Sequence, residues 1–263
     1  MLKNYRGRFP FKLATTSYIY PDEIVPNVVR LGPFFDEIEL VLFESKGQNS
    51  IPDHSQISHL IELSRLHRVG FNIHLPIDIS LGDENEKVRA SGISIVRGVI
   101  QKTLSLNPSF YVLHLDPRNK NGQEEMDIET WRNDLVGCLE EILDDGMESK
   151  RIAIENLGYP FEWIEDMVNE FGFSICLDIG HILTHGYDLR HYLKTYLPRT
   201  SIIHLHGVHK GLDHLGIETL PDPDLNLILS ALHHYHGIVS IEVFSINELN
   251  SSLSILEEKW IKS

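Results

Sequence analysis

Apolar residues recur along this chain with two different periods. Eight short β-branched runs read as strands, at 12–18, 37–43, 70–75, 110–115, 151–156, 173–178, 201–206 and 238–244. Their starts lie about 20 to 40 residues apart, the repeat of strand–helix units. Between them the apolar positions shift to helical spacing. The second helical segment takes Asp53 or Ser55 as its cap, turns Ile57, Leu60, Ile61, Ser64 and Leu66 inward, and stops at Gly70. The fourth covers 128–143, with Leu135, Leu139, Ile142 and Leu143 on one side. Pro160 opens the fifth, ahead of Phe161, Ile164, Met167 and Val168. Asp224 falls in the first turn of the seventh, and Leu225, Ile228, Leu229 and Leu232 face inward. The last runs over 247–260 and carries Leu249, Leu253, Leu256 and Trp260.

Eight strands alternating with eight helices in 263 residues predict an α/β fold, a (β/α)8 or TIM barrel, as one domain over 1–263. A doubly wound open sheet is the competitor. No Gly-x-Gly-x-x-Gly follows any of the runs, and the polar residues that stand out are spread over six of them rather than gathered at one switch point. A closed barrel brings the C-terminal ends of all its strands to one mouth.

Those ends carry the candidate chemistry. His74 in FNIHLP, His114 in YVLHLD, Glu155 in IAIENL, Asp178 in SICLDIGH, His204 in SIIHLHG and Glu242 in IVSIEVF each close an apolar run. Six N or O donors at one level point to a shared ligand sphere for divalent metal. Glu155, Asp178 and Glu242 cannot all stay ionised close together without a cation. With His204 they form a mixed set suited to manganese, zinc, cobalt or iron rather than to a thiolate-bound structural zinc. Strand alternation places Glu155 on the face of Ala153, Asp178 on that of Cys176, and His204 on that of His206. His206 is then a second ligand, a substrate contact or a packed layer residue. His74, His114, His181 in DIGH and His214 in KGLDHLG form a further tier that would hold a second or third ion. One ion with two carboxylate bases gives an isomerase or epimerase; two or three ions give a phosphodiesterase. The additional histidines favour hydrolysis. A barrel that binds metal or ligand without catalysis is the third reading.

Composition narrows the partners. The formal charge of −15 opposes a broad nucleic-acid groove. Cys138 and Cys176 are the only cysteines and read as reduced core thiols. His54, His59, His67, His185, His191, His209, His233, His234 and His236 fall on helix faces or in loops and read as mostly solvated. The opening MLKNYRGRFPFK has no apolar signal segment, and no apolar run approaches the roughly 20 residues of a membrane helix. A cytoplasmic protein acting on a small molecule, with no membrane partner, is expected. Thr15, Thr16, Ser17, Tyr18 and Tyr20 either offer hydroxyls and rings at the mouth or simply pack the first strand. Asp78 and Asp116 either orient the neighbouring imidazoles or cap helices.

At these residues the chain is similar to the xylose-isomerase-like barrel superfamily, which includes sugar-phosphate isomerases and epimerases and the endonuclease IV-type AP endonucleases. By that resemblance, Glu155, Asp178, His204 and Glu242 match the shared metal square. His74, His114, His181 and His214 match the extra ligands of the trinuclear zinc endonucleases. Asp213 matches the aspartate of their Asp-x-His loop, although here Asp213 and His214 are adjacent. The stretches 13–45, 72–81, 177–189 and 204–217 more closely resemble the cobamide-remodelling phosphodiesterase family. That resemblance implies one to three divalent metals and a corrinoid substrate. The reaction would be hydrolysis of the phosphoester that joins the lower-ligand nucleotide to the corrin side chain. Glu155, Glu242, His206 and Asp213 are the catalytic residues expected on this reading.

Overall fold

The computed structural model describes residues 2–45, 51–117, 127–144 and 146–260. Ten strands occur among them: β1 Lys12–Thr16, β2 Glu37–Val41, β3 Gly70–His74, β4 Tyr111–Leu113, β5 Ile152–Glu155, β6 Ser174–Asp178, β7 Thr200–Leu205, β8 Gly207–His209, β9 Leu212–Leu215 and β10 Ile238–Ile241. Eight of these pair in parallel and close into a barrel, in the order β1-β2-β3-β4-β5-β6-β7-β10 and back to β1. β8 and β9 form a separate antiparallel hairpin. The predicted barrel is therefore the fold.

The helices are α1 Ile24–Leu31, α2 His54–His67, α3 Glu86–Thr103, α4 Ile128–Leu143, α5 Glu165–Phe171, α6 Ile179–Thr184, α7 Leu189–Tyr196, α8 Asp222–Leu232 and α9 Ile246–Trp260. They bury their apolar stripes against the outside of the strands. Among the described residues none is long and apolar enough to cross a membrane. Asp53 caps α2 with a reciprocal pair: its side chain accepts from Gln56 N–H, and the Gln56 side chain accepts from Asp53 N–H. Ile57, Leu60 and Leu63 are buried, whereas Leu66 is 73% exposed. A three-residue step falls about 60° short of a full turn, so Leu66 has drifted off the face that Ile57 began. The helix ends at Arg68 in a left-handed conformation, and Gly70 instead starts β3. The Pro160 segment begins as a 3-10 turn, Phe161–Trp163, before α5.

Inside the barrel, alternation leaves little room. Ala14, Val112, Ala153, Cys176, Ile202 and Ile238 pack together as an apolar layer. Towards the N-terminal end, Glu37 is buried beneath Lys12, whose Nζ lies 2.8 Å from Glu37 Oε1. Towards the C-terminal end the inward positions turn polar, and that layer is the candidate site.

Candidate metal centre

Register determines which donors meet. Glu39 pairs with Asn72, Val41 with His74, Asp178 with His204, and Ser240 with His204. Inward-facing residues therefore climb each strand in steps of two. The last inward residues of β3, β5 and β6 are His74, Glu155 and Asp178, and the next inward positions beyond β4, β7 and β10 are His114, His206 and Glu242.

Glu155 is the hub. Its Oε2 lies 2.9 Å from His114 Nε2 and 3.3 Å from His74 Nε2. Its Oε1 lies 3.4 Å from His181 Nδ1 and 3.5 Å from His204 Nδ1. His204 Nδ1 also stands 3.2 Å from Glu242 Oε2 and 3.7 Å from Asp178 Oδ2. His214 Nδ1 is 3.6 Å from Glu242 Oε2. Every ion-pair partner described for Glu155, Asp178 and Glu242 is a histidine, and none is a lysine or arginine. All eight expected ligands thus come to one mouth.

Local structure holds them there. Asp178 ends β6 and caps α6, accepting from His181 N–H at 2.6 Å. Asn156 clamps the Asp178 backbone from both sides: its Oδ1 accepts from Asp178 N–H, and its Nδ2 donates to Asp178 C=O. His206 is fully buried behind Asp178, its Nε2 3.2 Å from Oδ1. His206 Nδ1 lies 2.9 Å from the backbone N of His214 and 3.2 Å from Gly207 O, while Nε2 faces Asp178, so the ring is held at both nitrogens. A Cβ on Gly180 would sit 1.9 Å from the His206 ring, so α6 approaches that closely only because residue 180 is glycine.

The β8–β9 hairpin brings in the remaining pair. Neighbouring residues on a strand point to opposite sides, which would separate Asp213 from His214. His214 has φ +52, a left-handed backbone that breaks the alternation. Donor atoms of His181, Asp213 and His214 lie within 4.8 Å of one another, as do those of His74, His114 and Glu155, and those of His206, His214 and Glu242. Adjacency of Asp213 and His214 is thus compatible with a joint donor group.

The electrostatics follow from burial without a metal cation. Burial opposes charge on Glu155, Asp178, Glu242, His74, His181 and His204, and mutual attraction outweighs it. Glu155 is held well below the usual carboxylate range by His114 and His204, and Asp178 by His181 and His206. Glu242 is lowered mainly by His204. His74 is raised to about 9 by Glu155, Glu39 and Glu242. His204 is raised well above its ordinary value by surrounding acids, and His181 is raised by Asp178 and Glu155. Protons on the imidazoles supply the positive charge that the carboxylates need. Burial pushes the Cys176 thiol well up, so it stays neutral beside His204. The donor set fits a divalent ion: it is N and O throughout, and Glu242 Oε2 and His204 Nδ1 are buried with no hydrogen-bond partner among the described residues.

Two buried residues escape a reading focused on strand ends, Glu39 and Asn156. Glu39 sits mid-strand in EIELV, alternating with Ile38 and Leu40; that two-residue rhythm was the available signal. Asn156 directly follows Glu155 and gives no periodic signal. Thr15 and Thr16 are packed, with their hydroxyls donating to Ile241 C=O and Val243 C=O. Tyr18 is half-buried and joins Phe43, Phe244 and His214 in an aromatic wall beside the mouth. Asp78 binds Ser45 through N–H and hydroxyl rather than an imidazole. His74 Nδ1 instead faces Leu75 C=O at 2.9 Å. Of the histidines expected in solvent, His67 and His233 are half-buried, the latter stacked on Trp260.

No curated protein matches the chain. Among solved structures it is similar to a D-tagatose 3-epimerase-like protein, at 21% identity over 96% of this chain and 97% of that one, with a TM-score of 0.78. It is similar to endonuclease IV from Thermus thermophilus, at 14% identity over 95% and 99%, with a TM-score of 0.72. A third is the IolI protein with a binding zinc atom, at 18% identity over 96% of each chain and a TM-score of 0.69. At such identities these likenesses concern the fold. The family model described as xylose isomerase-like TIM barrel matches residues 26–263, so the chain belongs to the xylose isomerase-like TIM barrel family.

Proposed function

We propose that the protein is a metal-dependent phosphodiesterase that holds more than one divalent ion and acts on cobamides. The observation that carries the multi-metal reading is the number and grouping of donors. His74, His114 and Glu155 lie on one side of the mouth, and His181, Asp213 and His214 form a second group. Between them stand Asp178, His204 and Glu242, more ligands than one ion takes up. Ions held there would supply Lewis-acid charge for phosphoryl oxygens and make water more acidic. The chain's own part is positional. Asn156 and His206 fix Asp178, and buried His204 faces Glu155, Asp178 and Glu242 at once. Asp213 is exposed at the rim, where it can accept a proton from water entering beside the ester. The solved IolI protein, which binds zinc, supports a divalent ion in a barrel of this shape.

The cobamide substrate rests on the resemblance of stretches 13–45, 72–81, 177–189 and 204–217. Hydrolysis adds water across one P–O ester bond. The aromatic wall of Tyr18, Phe43 and Phe244 supports a bulky, partly apolar substrate. The runner-up is a sugar or sugar-phosphate epimerase with one ion, favoured by likeness to epimerase structures and by the paired carboxylates Glu155 and Glu242. An AP-endonuclease-like nuclease is disfavoured by the charge of −15. Incubating the metal-loaded protein with a cobamide should release a cobinamide and the freed nucleotide, with two or three ions per chain by elemental analysis. One ion per chain with ketose epimerisation and no cobamide cleavage establishes the runner-up instead.

A further inference from the structure

Beneath the outer ligands lies a second buried polar layer, which shares His204 with them. Glu39 in β2, Asn72 in β3, His204 in β7 and Ser240 in β10 are all fully buried. Both Glu39 oxygens, Asn72 Oδ1 and Ser240 Oγ have no hydrogen-bond partner among the described residues. A carboxylate in such surroundings is costly unless something of opposite charge faces it. The ion-pair partner described for Glu39 is His204, whose Nε2 lies 3.0 Å from Glu39 Oε1, off the line of the ring N–H. The other nitrogen of that ring, Nδ1, faces Glu155, Asp178 and Glu242 at 3.2 to 3.7 Å. One imidazole therefore stands between a lone carboxylate below and a trio of carboxylates above.

An imidazole has one hydrogen and one lone pair to distribute when neutral, and the partner of one nitrogen decides the job of the other. We propose that Glu39 is a positioning residue that keeps the His204 hydrogen on Nε2 and so aims the Nδ1 lone pair at a metal ion held among Glu155, Asp178 and Glu242. This rests on the metal reading above and adds to it a carboxylate–histidine–metal relay running down the barrel axis. His74 does not compete for the same role. Its Nδ1 is occupied by Leu75 C=O and its Nε2 by Glu155.

Zinc serves as the probe, and two measurements decide. In the zinc-loaded wild-type protein, long-range proton–nitrogen correlation spectra should show His204 protonated on Nε2, with the Nδ1 resonance shifted by the metal. Chelator competition should show zinc binding weakened about 10- to 100-fold in Glu39→Ala, with much of the loss restored in Glu39→Gln, whose amide oxygen still accepts. A purely structural role for Glu39 would leave the His204 tautomer unchanged in both variants. The spectrum of the wild-type protein needs no variant to fold. His204 protonated on Nδ1, or zinc affinity in folded Glu39→Ala within twofold of wild type, overturns the relay alone. No zinc bound by the wild-type protein overturns both the relay and the metal reading.

Discussion

Glu155 touches four imidazoles, His74, His114, His181 and His204, so removing its charge disturbs every donor group that shares it. Glu242 bridges His204 and His214 in the same way. Glu155→Gln and Glu242→Gln are therefore expected to lose bound metal together with activity, measured by elemental analysis and by turnover. Full metal occupancy in both variants contradicts the assignment. These two residues were legible because each closes a β-branched run, where an acid is out of place. Glu39 was harder to see for the opposite reason: it lies inside its run, where only its alternation with Ile38 and Leu40 marks it, and the inward face is evident only in the closed barrel. His206 was legible as a donor of the right parity. Its use, set by the His214 N–H and Asp178, emerges only from packing.

Elements with a strong internal rhythm were read closely. The fourth helix occupies the expected 128–143, because apolar residues and a capping Asp127 agree there. The first strand ends at Thr16 rather than at residue 18, since Tyr18 leaves the ladder for the aromatic wall. The β8–β9 hairpin was unreadable. VHKGLDH has no alternation of apolar and polar residues, and its shape depends on left-handed backbone at Lys210, Gly211 and His214. α6 illustrates how an element serves the site. It is short, capped by Asp178, and pressed against His206 at Gly180. Gly180→Ala forces a methyl into a fully buried ring with no space to retreat, and about 1 to 3 kcal/mol of stability should be lost. Urea unfolding of the metal-free protein measures this. An unchanged midpoint would mean that α6 is not locked against His206.

For the whole molecule, the charge pattern at the mouth makes metal-free stability depend on pH in a defined direction. His74 rises from 6.5 to about 9 on folding, so its contribution is complete below 6.5 and is lost as pH climbs through about 9. Glu155, Asp178 and Glu242 are lowered from 4.5, 3.8 and 4.5. Their contribution is complete above those values and is lost as pH falls. The metal-free protein should melt highest between about pH 4.5 and 6.5 and progressively lower towards pH 9. Calorimetry that finds a level melting temperature from pH 6.5 to 9 contradicts the ion-paired mouth. Metal binding has the opposite slope, because ligating imidazoles must give up their protons: zinc affinity rises over the same alkaline range, with protons released to buffer.

The donors are graded by depth. His204 is wholly enclosed and the Glu155 side chain is 2% exposed, while the His181 and His214 side chains reach 17% and 28% and Asp213 lies open at the rim. An ion seated among His181, Asp213 and His214 would meet solvent directly, whereas one seated among Glu155, Asp178 and His204 would lie beneath them. Chelation should therefore proceed in two kinetic phases, a fast loss from the vestibule and a slow one from the floor. Washing with a chelator for a short, chosen time would then yield a half-stripped enzyme in which the separate contributions of the two seats can be weighed.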